Sequence, residues 1–243
     1  MLCASQADII AFSYNRPMQL YAFLESMDYY ASNVRQISVI YRCVDEKYCV
    51  AYQKVINAFP QVKFIEQKSP PDDFKPLLLA AFFNPDGSDY VAFAVDDDIA
   101  KDFFDFNECI EALENTKAYG FYLWLGVHVD VGIPAVTNMI QVGDKLYFWQ
   151  FKNGKNDWGY PNSVDMVIYR KKEIELYLRN LSYNHPNSLE SAWAAQANFE
   201  QIGLCYKTSK IVNIPLNLVN FSDTQNLNIP VGKLLIDFNS GSD

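Results

Sequence analysis

The chain has 243 residues, of which 20 are lysine or arginine and 29 are aspartate or glutamate, so its formal net charge at neutral pH is −9. Half of the residues are hydrophobic and 15% are aromatic, which excludes a disordered chain and suits one compact domain. The acidic balance argues against nucleic-acid binding, because that activity needs clustered lysine and arginine to displace counterions.

In the first hundred residues, short apolar runs alternate with segments of helical periodicity. The apolar runs predict strands at Ala7–Tyr14, Ile37–Tyr41, Val62–Ile65 and Tyr90–Val95. Helices are predicted at Met18–Tyr30, at Lys47–Phe59 with Val50, Val55, Ile56 and Phe59 on its inner face, and at Phe74–Phe83. Strands and helices that alternate with short connections predict a mostly parallel α/β sheet with helices on both faces.

The second half of the chain is less regular. Its strands are predicted at Tyr119–Leu125, Met139–Val142, Leu146–Phe151, Val164–Tyr169 and Ile211–Val219, the second and third forming a hairpin around Gly143-Asp144-Lys145. Its helices are predicted at Phe106–Thr116, Lys171–Leu181 and Asn187–Ile202. With no internal repeat or linker, we predict one domain over residues 1–243, with lobes at 1–100 and 101–220 and a tail at 221–243.

The cysteines and the N-terminal residues bear on the compartment. Five cysteines stand at irregular spacings: Cys3, Cys43, Cys49, Cys109 and Cys205. They form no CxxC pair and are accompanied by two histidines, so we expect free thiols in a reducing compartment and no zinc site. Residues 1–6 lack the features of a signal peptide, and no apolar run reaches the roughly 20 residues of a membrane helix. These features predict a cytoplasmic protein without a transmembrane segment.

Three consecutive aspartates, Asp96-Asp97-Asp98, follow the predicted apolar strand Tyr90–Val95. Carboxylates that are crowded in a partly desolvated place repel one another, and a hard divalent cation such as Mn²⁺ or Mg²⁺ removes that repulsion. We predict that Asp96 and Asp98 bind such an ion. The alternative is a solvated acidic loop in which Asp98 caps a turn.

Other polar residues are predicted at the same edge of the sheet, where ligands of open α/β sheets bind. The loop Ser13-Tyr14-Asn15-Arg16 follows the first strand, and its side chains could hold a nucleotide base or a phosphate. Arg42 and Asp45 follow the second strand. Lys75 precedes the strand that leads to the aspartates, and its positive charge could balance the negative charge of a diphosphate. For Arg16 and Lys75 the alternative is a solvated side chain, and neither GxGxxG nor GxxxxGK[ST] is present.

The second half contributes two candidate carboxylates. Glu190 stands three residues after Asn187, so it is either part of a helix cap or a base that accepts a proton from a hydroxyl. Asp165 lies in a predicted apolar strand, where burying an unpaired carboxylate is costly. It is therefore predicted either to face solvent or to have a functional role. It follows Trp158 and Tyr160, whose exposed rings would bind sugar faces. His185 is interpreted as a surface-loop residue, although it could reach the metal.

The sequence resembles the nucleotide-sugar glycosyltransferases of the GT-A fold, in particular exostosin-like domains and bacterial family 2-like enzymes. The resemblance runs through FSYNRP, the acidic DXD-type motif after YVAFAV, WGYPNSVDMVIYRKKEI and NSLESAW. It implies a nucleotide-binding N-terminal half and an acceptor-binding C-terminal half, with the base held by Ser13–Arg16. It also implies that Asp96 contacts the ribose, that Asp98 binds Mn²⁺ or Mg²⁺, and that Asp165 or Glu190 faces the acceptor.

These residues predict a metal-dependent transfer of one sugar from a nucleoside-diphosphate donor to a glycan or glycolipid, in surface-polysaccharide biosynthesis. A glycolipid acceptor would place the protein loosely at the inner membrane face. Two alternatives remain open at this point. One is a sugar-phosphate nucleotidyltransferase, whose relatives carry a glycine-rich first loop that Ser13–Pro17 lacks, and the other is a non-catalytic carbohydrate-binding protein.

Overall fold

A computed structural model describes residues 5–129, 136–217 and 227–241 of the chain. Its strands are β1 (Ala7–Tyr14), β2 (Ala31–Ser32), β3 (Val34–Arg42), β4 (Lys63–Glu66), β5 (Tyr90–Val95), β6 (Asp98–Ala100), β7 (Phe104–Asp105), β8 (Gly120–Tyr122), β9 (Ile140–Val142), β10 (Leu146–Gln150), β11 (Val167–Arg170), β12 (Ile202–Tyr206) and β13 (Ile211–Asn213). Its α-helices are α1 (Pro17–Tyr30), α2 (Glu46–Ala58), α3 (Phe74–Phe82), α4 (Phe106–Thr116), α5 (Lys171–Asn180), α6 (Pro186–Ala194) and α7 (Val231–Ser240).

The main sheet, within the described ranges, has nine strands in the order β4-β3-β1-β5-β11-β8-β12-β10-β9. The first four of these strands are mutually parallel, as the alternation of strands and helices predicts. β11 is antiparallel to both of its neighbours, β5 and β8. The carboxyl ends of β1, β3 and β5 therefore lie at one edge, and the segment that enters β11 starts at that same edge.

Helices cover both faces of this sheet, because successive side chains of a strand point to opposite sides. Along β1, Ile9 and Ala11 pack into a core with α1, α2 and α4, whereas Ile10 and Phe12 pack into a second core with α3, α5 and α6. The predicted fold class, a mixed and mostly parallel sheet flanked by helices, is confirmed. No helix of the described residues has the length and apolar character that crossing a membrane requires.

Several predicted elements differ from the structure near their ends. The predicted helix at Asn187–Ile202 stops at Ala194, since the side chain of Asn198 accepts the N–H of Glu200 in a tight turn, and the chain then enters β12. The predicted strand Ile211–Val219 is limited to Ile211–Asn213 and pairs with β6 in a separate two-stranded sheet, so it does not close the main sheet. Val219 lies outside the described residues.

Two further predictions need a correction of detail. The strand expected at Val164–Tyr169 begins at Val167, because Met166 has a positive φ of 44° that interrupts the extended chain. The strand expected at Tyr119–Leu125 is reduced to Gly120–Tyr122. On α2, Val50 is 53% exposed and the buried face carries Tyr48, Ala51, Tyr52 and Val55, so the predicted inner face was rotated about the helix axis.

The expectation of free thiols is wrong for two cysteines. Cys43 follows β3 and Cys49 lies in the first turns of α2, where the intervening turn brings their Cα atoms to 5.4 Å and a disulfide joins them. Cys109 and Cys205 are buried free thiols, as expected, while Cys3 lies outside the described residues.

Candidate active site at the carboxyl edge of the sheet

Two loops that leave parallel strands meet at the carboxyl edge of the sheet. The Ser13 hydroxyl donates to Oδ2 of Asp96 at 2.7 Å, and the Arg16 guanidinium donates from Nη1 to Oδ1 of Asp96 at 2.9 Å. The hydroxyl of Tyr52 on α2 hydrogen-bonds to Ser13 Oγ at 2.6 Å and accepts the backbone N–H of Arg16 at 3.2 Å. The sequence predicts that these two loops share an edge, but it gives no sign that Tyr52 joins them.

Arg16 is a buried clamp between carboxylates, and only 5% of the residue is exposed. Besides Asp96, its Nη1 donates to Oδ2 of Asp97 at 3.0 Å, and its Nη2 donates to the carbonyl of Asn217. Burial alone would lower the pKa of Arg16, but the charges of Asp96 and Asp97 outweigh it and raise that pKa. The alternative of a solvated Arg16 is therefore excluded.

Removing the Arg16 guanidinium is expected to destabilise the fold, because Asp96 would be left buried and unpaired. We expect Arg16→Met to lower the free energy of unfolding by about 3 kcal/mol, measured by urea denaturation. The matched control is Arg35→Met, since Arg35 is one-third exposed and 3.7 Å from Asp8, and there we expect less than about 1 kcal/mol. Equal losses in the two variants would contradict the special position of Arg16.

Both carboxylate oxygens of Asp96 accept hydrogen bonds, one of them from the cationic Arg16. Oδ1 accepts from Arg16 and Oδ2 accepts from Ser13, and the residue is 3% exposed. Burial is the largest influence on Asp96 and raises its pKa to about 6, although Arg16 opposes the shift. Asp96 thus fixes Ser13 and Arg16, and its charge is paired with that of Arg16, while its predicted role as a metal ligand stays a prediction.

Asp98 is fully buried at the start of β6. Its Oδ2 accepts the backbone N–H of Val95 at 3.1 Å, and its Oδ1 accepts Nδ2 of Asn213 on β13 at 3.3 Å. The same amide group lies 3.3 Å from Oδ1 of Asp97. Burial raises the pKa of Asp98 well above its usual range; the Val95 N–H opposes that shift and the charge of Asp97 adds to it. When Asp98 is ionised, no cationic side chain of the described residues neutralises its charge.

Glu190 faces the same region from α6, and it is not a helix cap. The N-cap of α6 is His185, whose Nδ1 accepts the N–H of Ser188, so the predicted capping role of Asn187 and Glu190 is wrong. Oε1 of Glu190 accepts from Ser163 Oγ at 3.0 Å and from the Val164 N–H at 3.1 Å. Burial raises the pKa of Glu190, while these two hydrogen bonds oppose the shift.

Asp165 is the least compensated carboxylate of the site. It lies in the loop before β11, and no hydrogen bond to its carboxylate is formed by the part of the chain that the structure describes. Burial raises its pKa well above the usual range, and the negative charges of Asp98 and Glu190 raise it further. Asp165 is nevertheless partly exposed, so its carboxylate is accessible from solvent and could bind a cation.

The loop that carries Asp165 is fixed by polar contacts to buried aromatic residues. Tyr119 donates to Oδ1 of Asn162 at 2.8 Å, and Nδ2 of Asn162 donates to the Trp193 carbonyl at 2.7 Å. The hydroxyl of Tyr169 accepts the N–H of Ser163 at 3.0 Å. These contacts fix the position of Asp165 and of Ser163 and Val164, which donate hydrogen bonds to Glu190.

The aromatic residues before this loop differ from the prediction. Trp158 is 2% exposed and packs against Trp149, so it offers no ring to a sugar. Tyr160 is half-buried, and the charges of Glu190 and Asp165 contribute to raising its pKa after the larger effect of burial. Tyr160 is therefore the aromatic residue of this segment that borders the site.

Other predicted residues lie farther from the carboxylates. Nζ of Lys75 donates to the carbonyls of Arg179 and Leu181 at the end of α5, so the prediction that it offsets a diphosphate is not supported. Asp45 is exposed at the N-cap of α2, with its Oδ2 3.9 Å from Nζ of Lys47. His185 is exposed and engaged in its helix cap.

A polar cavity of about 570 Å³ adjoins the first loop, and its lining includes Arg42, Glu66 and Lys68. The Arg42 guanidinium lies 5.0 Å from the centre of the Tyr14 ring, and Oδ1 of Asn15 accepts the N–H of Val44 at 3.1 Å. Tyr14 and Asn15 thus lie beside the end of β3, next to this cavity. Its size falls within the range of small-molecule sites.

The charges of the site are unbalanced. Asp96, Asp97, Asp98, Asp165 and Glu190 gather at one edge of the sheet, while Arg16 supplies the ion pairs to this group within the described residues. No three acidic, histidine or cysteine side chains among those residues already form a cage for a metal ion. The oxygen-only donor set nevertheless fits a hard divalent cation, since Asp98 is held by neutral groups and the carboxylate of Asp165 has no hydrogen-bond partner in the described ranges.

The sequence and the fold of the chain are similar to those of known proteins. No family model matches the sequence. The chain is 28% identical over 212 residues to the bifunctional glycosyltransferase pgtA of Dictyostelium discoideum, an alignment that covers 75% of this chain and 27% of that protein. The chain therefore spans about a quarter of the length of this curated relative.

The fold is similar to that of S. aureus TarS 1-349. In its complex with UDP, the TM-score is 0.55 at 12% identity, covering 84% of this chain and 58% of TarS 1-349. The structure of TarS 1-349 alone gives a TM-score of 0.52 over the same shares of both chains. The predicted resemblance to GT-A glycosyltransferases is thus confirmed in sequence and in fold.

Proposed function

We propose that the chain is a divalent-metal-dependent glycosyltransferase that moves a sugar from a nucleoside-diphosphate donor to a glycan or glycolipid. The observation that carries this proposal is the group of carboxylates at the carboxyl edge of the sheet, where, among the described residues, Asp165 has no hydrogen-bond partner on its carboxylate and Asp98 has no cationic one. The similarity to a curated glycosyltransferase, and to a fold seen with UDP bound, supports it.

The proposed ion is Mn²⁺ or Mg²⁺, held by Asp98 and Asp165. A metal bound there would stabilise the negative charge that develops on the leaving diphosphate. The sequence predicts Asp96 as a metal ligand. In this proposal Asp96 instead positions Ser13 and Arg16, which donate hydrogen bonds to its two oxygens. Asp96 then borders the donor without ligating the ion.

The proposed donor position is the cavity beside the first loop. Arg42 and Val44 line it, Tyr14 and Asn15 contact these two residues, and Asp45 stands at the start of the helix that follows. A nucleobase can stack on a planar ring and hydrogen-bond to a side-chain amide. The diphosphate would then extend toward the aspartates, near the centre of the sheet.

Glu190 is the proposed base. It would accept the proton of the acceptor hydroxyl while the hydroxyl oxygen bonds to the anomeric carbon and the nucleoside diphosphate leaves with the electrons of the broken bond. Two hydrogen bonds fix Oε1, and burial raises the pKa of Glu190 toward the range in which a carboxylate accepts a proton at neutral pH. Asp165, the second carboxylate predicted to be catalytic, acts on the donor side in this proposal.

The biological setting proposed for this reaction is the synthesis of surface polysaccharide, in the cytoplasm or at the inner face of a membrane. The chain spans only part of its curated relative, so the acceptor and the complete reaction belong to this proposal as well.

Thermal unfolding with added nucleotides tests the proposed donor and metal. We expect UDP or GDP to raise the melting temperature in the presence of Mn²⁺ and to have little effect with EDTA, because a ligand at one hundred times its dissociation constant adds about 2.7 kcal/mol to stability. In the same samples, the rate at which nucleotide sugars are hydrolysed is measured, and we expect hydrolysis with Mn²⁺ and none with EDTA.

Two other results would contradict the proposal. Release of pyrophosphate from a nucleoside triphosphate and a sugar phosphate would indicate a nucleotidyltransferase. Binding of glycans without any affinity for nucleotides would indicate a non-catalytic carbohydrate-binding protein.

A further inference from the structure

A second cavity lies at the opposite edge of the sheet, and we call it the distal aromatic pocket. It has a volume of about 420 Å³ and is lined by Tyr29, Tyr30, Ser32, Phe103, Asp105 and Glu108, among others. α1 starts at the carboxyl end of β1 and runs back for 14 residues to Tyr30. At 1.5 Å per residue, this places the pocket about 20 Å from the Asp96–Asp98 loop.

Three aromatic rings form one continuous surface in this pocket. Tyr29 is 66% exposed and Phe103 is 61% exposed, although both are large apolar rings. Their ring centres lie 5.5 Å apart, and the ring of Tyr30 lies 4.7 Å from Tyr29 and 5.1 Å from Phe103. A single exposed ring needs no explanation, but a cluster of rings that borders a cavity indicates a binding surface.

The rim of the pocket offers hydrogen-bond acceptors. Oδ1 of Asp105 accepts Nδ2 of Asn33 and the N–H of Asn107, which fixes the carboxylate and leaves Oδ2 without a partner among the described residues. The exposed hydroxyl of Ser32 lies beside it. Glu108 is already engaged, since Oε1 pairs with Lys145 at 3.4 Å and Oε2 accepts from Tyr206.

This combination selects a class of ligand. An acidic rim disfavours phosphates and other anions. A quaternary ammonium ligand needs rings that surround an empty centre, whereas these ring centres lie only 4.7–5.5 Å apart and leave no such centre. The exposed apolar surface is formed by the rings of Tyr29 and Phe103, which are tilted by 38° to each other. Apolar sugar faces stack on such a surface, and sugar hydroxyls donate to fixed carboxylate oxygens.

We propose that the distal aromatic pocket binds a neutral glycan chain. The contact between β2 and β7, which pairs Ala31 with Phe104, forms the rigid floor of the pocket and positions Tyr30 against Phe103. Binding there requires neither a nucleotide nor a metal ion, so it is separable from the reaction proposed for the opposite edge.

The test is titration calorimetry of the full chain with neutral hexasaccharides of glucose, mannose and N-acetylglucosamine, without nucleotide or metal. We expect at least one of them to bind, and the double variant Tyr29→Ala/Phe103→Ala to weaken that binding at least tenfold. Both side chains are exposed, so the variant should keep the fold. The matched control is Phe199→Ala, which removes an exposed phenylalanine (49%) outside the pocket and should leave the affinity unchanged.

Other outcomes would overturn the proposal. They are the absence of binding by every neutral hexasaccharide, and binding that the double variant leaves intact. Tighter binding of a hyaluronan hexasaccharide or of choline would assign the pocket to a charged ligand. A dimer in sedimentation that the double variant abolishes would show that the surface joins two copies of the chain.

Discussion

The variant Asp98→Asn is expected to lower sugar transfer by about a thousandfold and at the same time to stabilise the metal-free protein. Activity falls because Asp98 is proposed to hold the ion that neutralises the leaving diphosphate, and loss of such stabilisation costs about a hundred- to a thousandfold or more. Stability rises because an amide replaces a fully buried carboxylate that no cationic side chain of the described residues pairs with. The amide oxygen can still accept the N–H of Val95, and the new NH2 group is accommodated if the side-chain amide of Asn213 turns so that its oxygen accepts from it.

Two measurements check this expectation. Initial rates of transfer should show the loss, and the melting temperature in EDTA should rise by roughly 2–4 °C, the shift that about 1 kcal/mol produces in a chain of this size. The control is Asp102→Asn in the same segment, which removes a half-exposed carboxylate and should change neither quantity by much. If Asp98→Asn turns over normally, or if Mn²⁺ still raises its melting temperature as in the parent, the metal assignment fails.

The variant Glu190→Gln is expected to lower turnover by a factor of about a hundred to ten thousand, the usual contribution of a general base. The amide keeps an oxygen that can accept from Ser163 and from the Val164 N–H, so the local structure should be preserved. Binding of the nucleoside diphosphate should be unaffected, because Glu190 is proposed to act on the acceptor. The measurement is the rate of transfer, together with nucleotide affinity from calorimetry.

An exposed glutamate on α1 provides the comparison. Glu25→Gln removes a carboxylate far from the proposed reaction and should leave turnover unchanged. Should Glu190→Gln keep its rate, or lose rate and nucleotide affinity together, Glu190 is not the base, and Asp165 becomes the carboxylate to test.

The first half of the fold was predictable because its signals are local. β1 and β5 match their predicted bounds, since β5 is an uninterrupted apolar run and β1 is a mainly apolar run that contains Asp8 and Ser13, with polar residues on both sides of each strand. The meeting of Ser13 with Asp96 also followed from the sequence, because parallel strands bring their carboxyl ends to one edge.

The rest of the site depends on contacts between distant parts of the chain. Glu190 reaches Ser163 across 27 positions, and Asn213 reaches Asp98 across 115. The burial of Trp158 follows from packing on Trp149, which no periodicity of the sequence reveals. Met166 adopts a positive φ, which sequence patterns rarely predict for a side chain of its size.

The position of β11 has a practical consequence for anyone who wishes to divide this protein. Its residues come from the second half of the chain, yet they supply the hydrogen-bonding neighbour of β5. A truncated chain that stops near residue 105 would leave the backbone of Val91 and Phe93 as an open, apolar border, which invites aggregation. Splitting the chain between the predicted lobes, at residue 100, would therefore separate β5 from β11 and expose this border to aggregation.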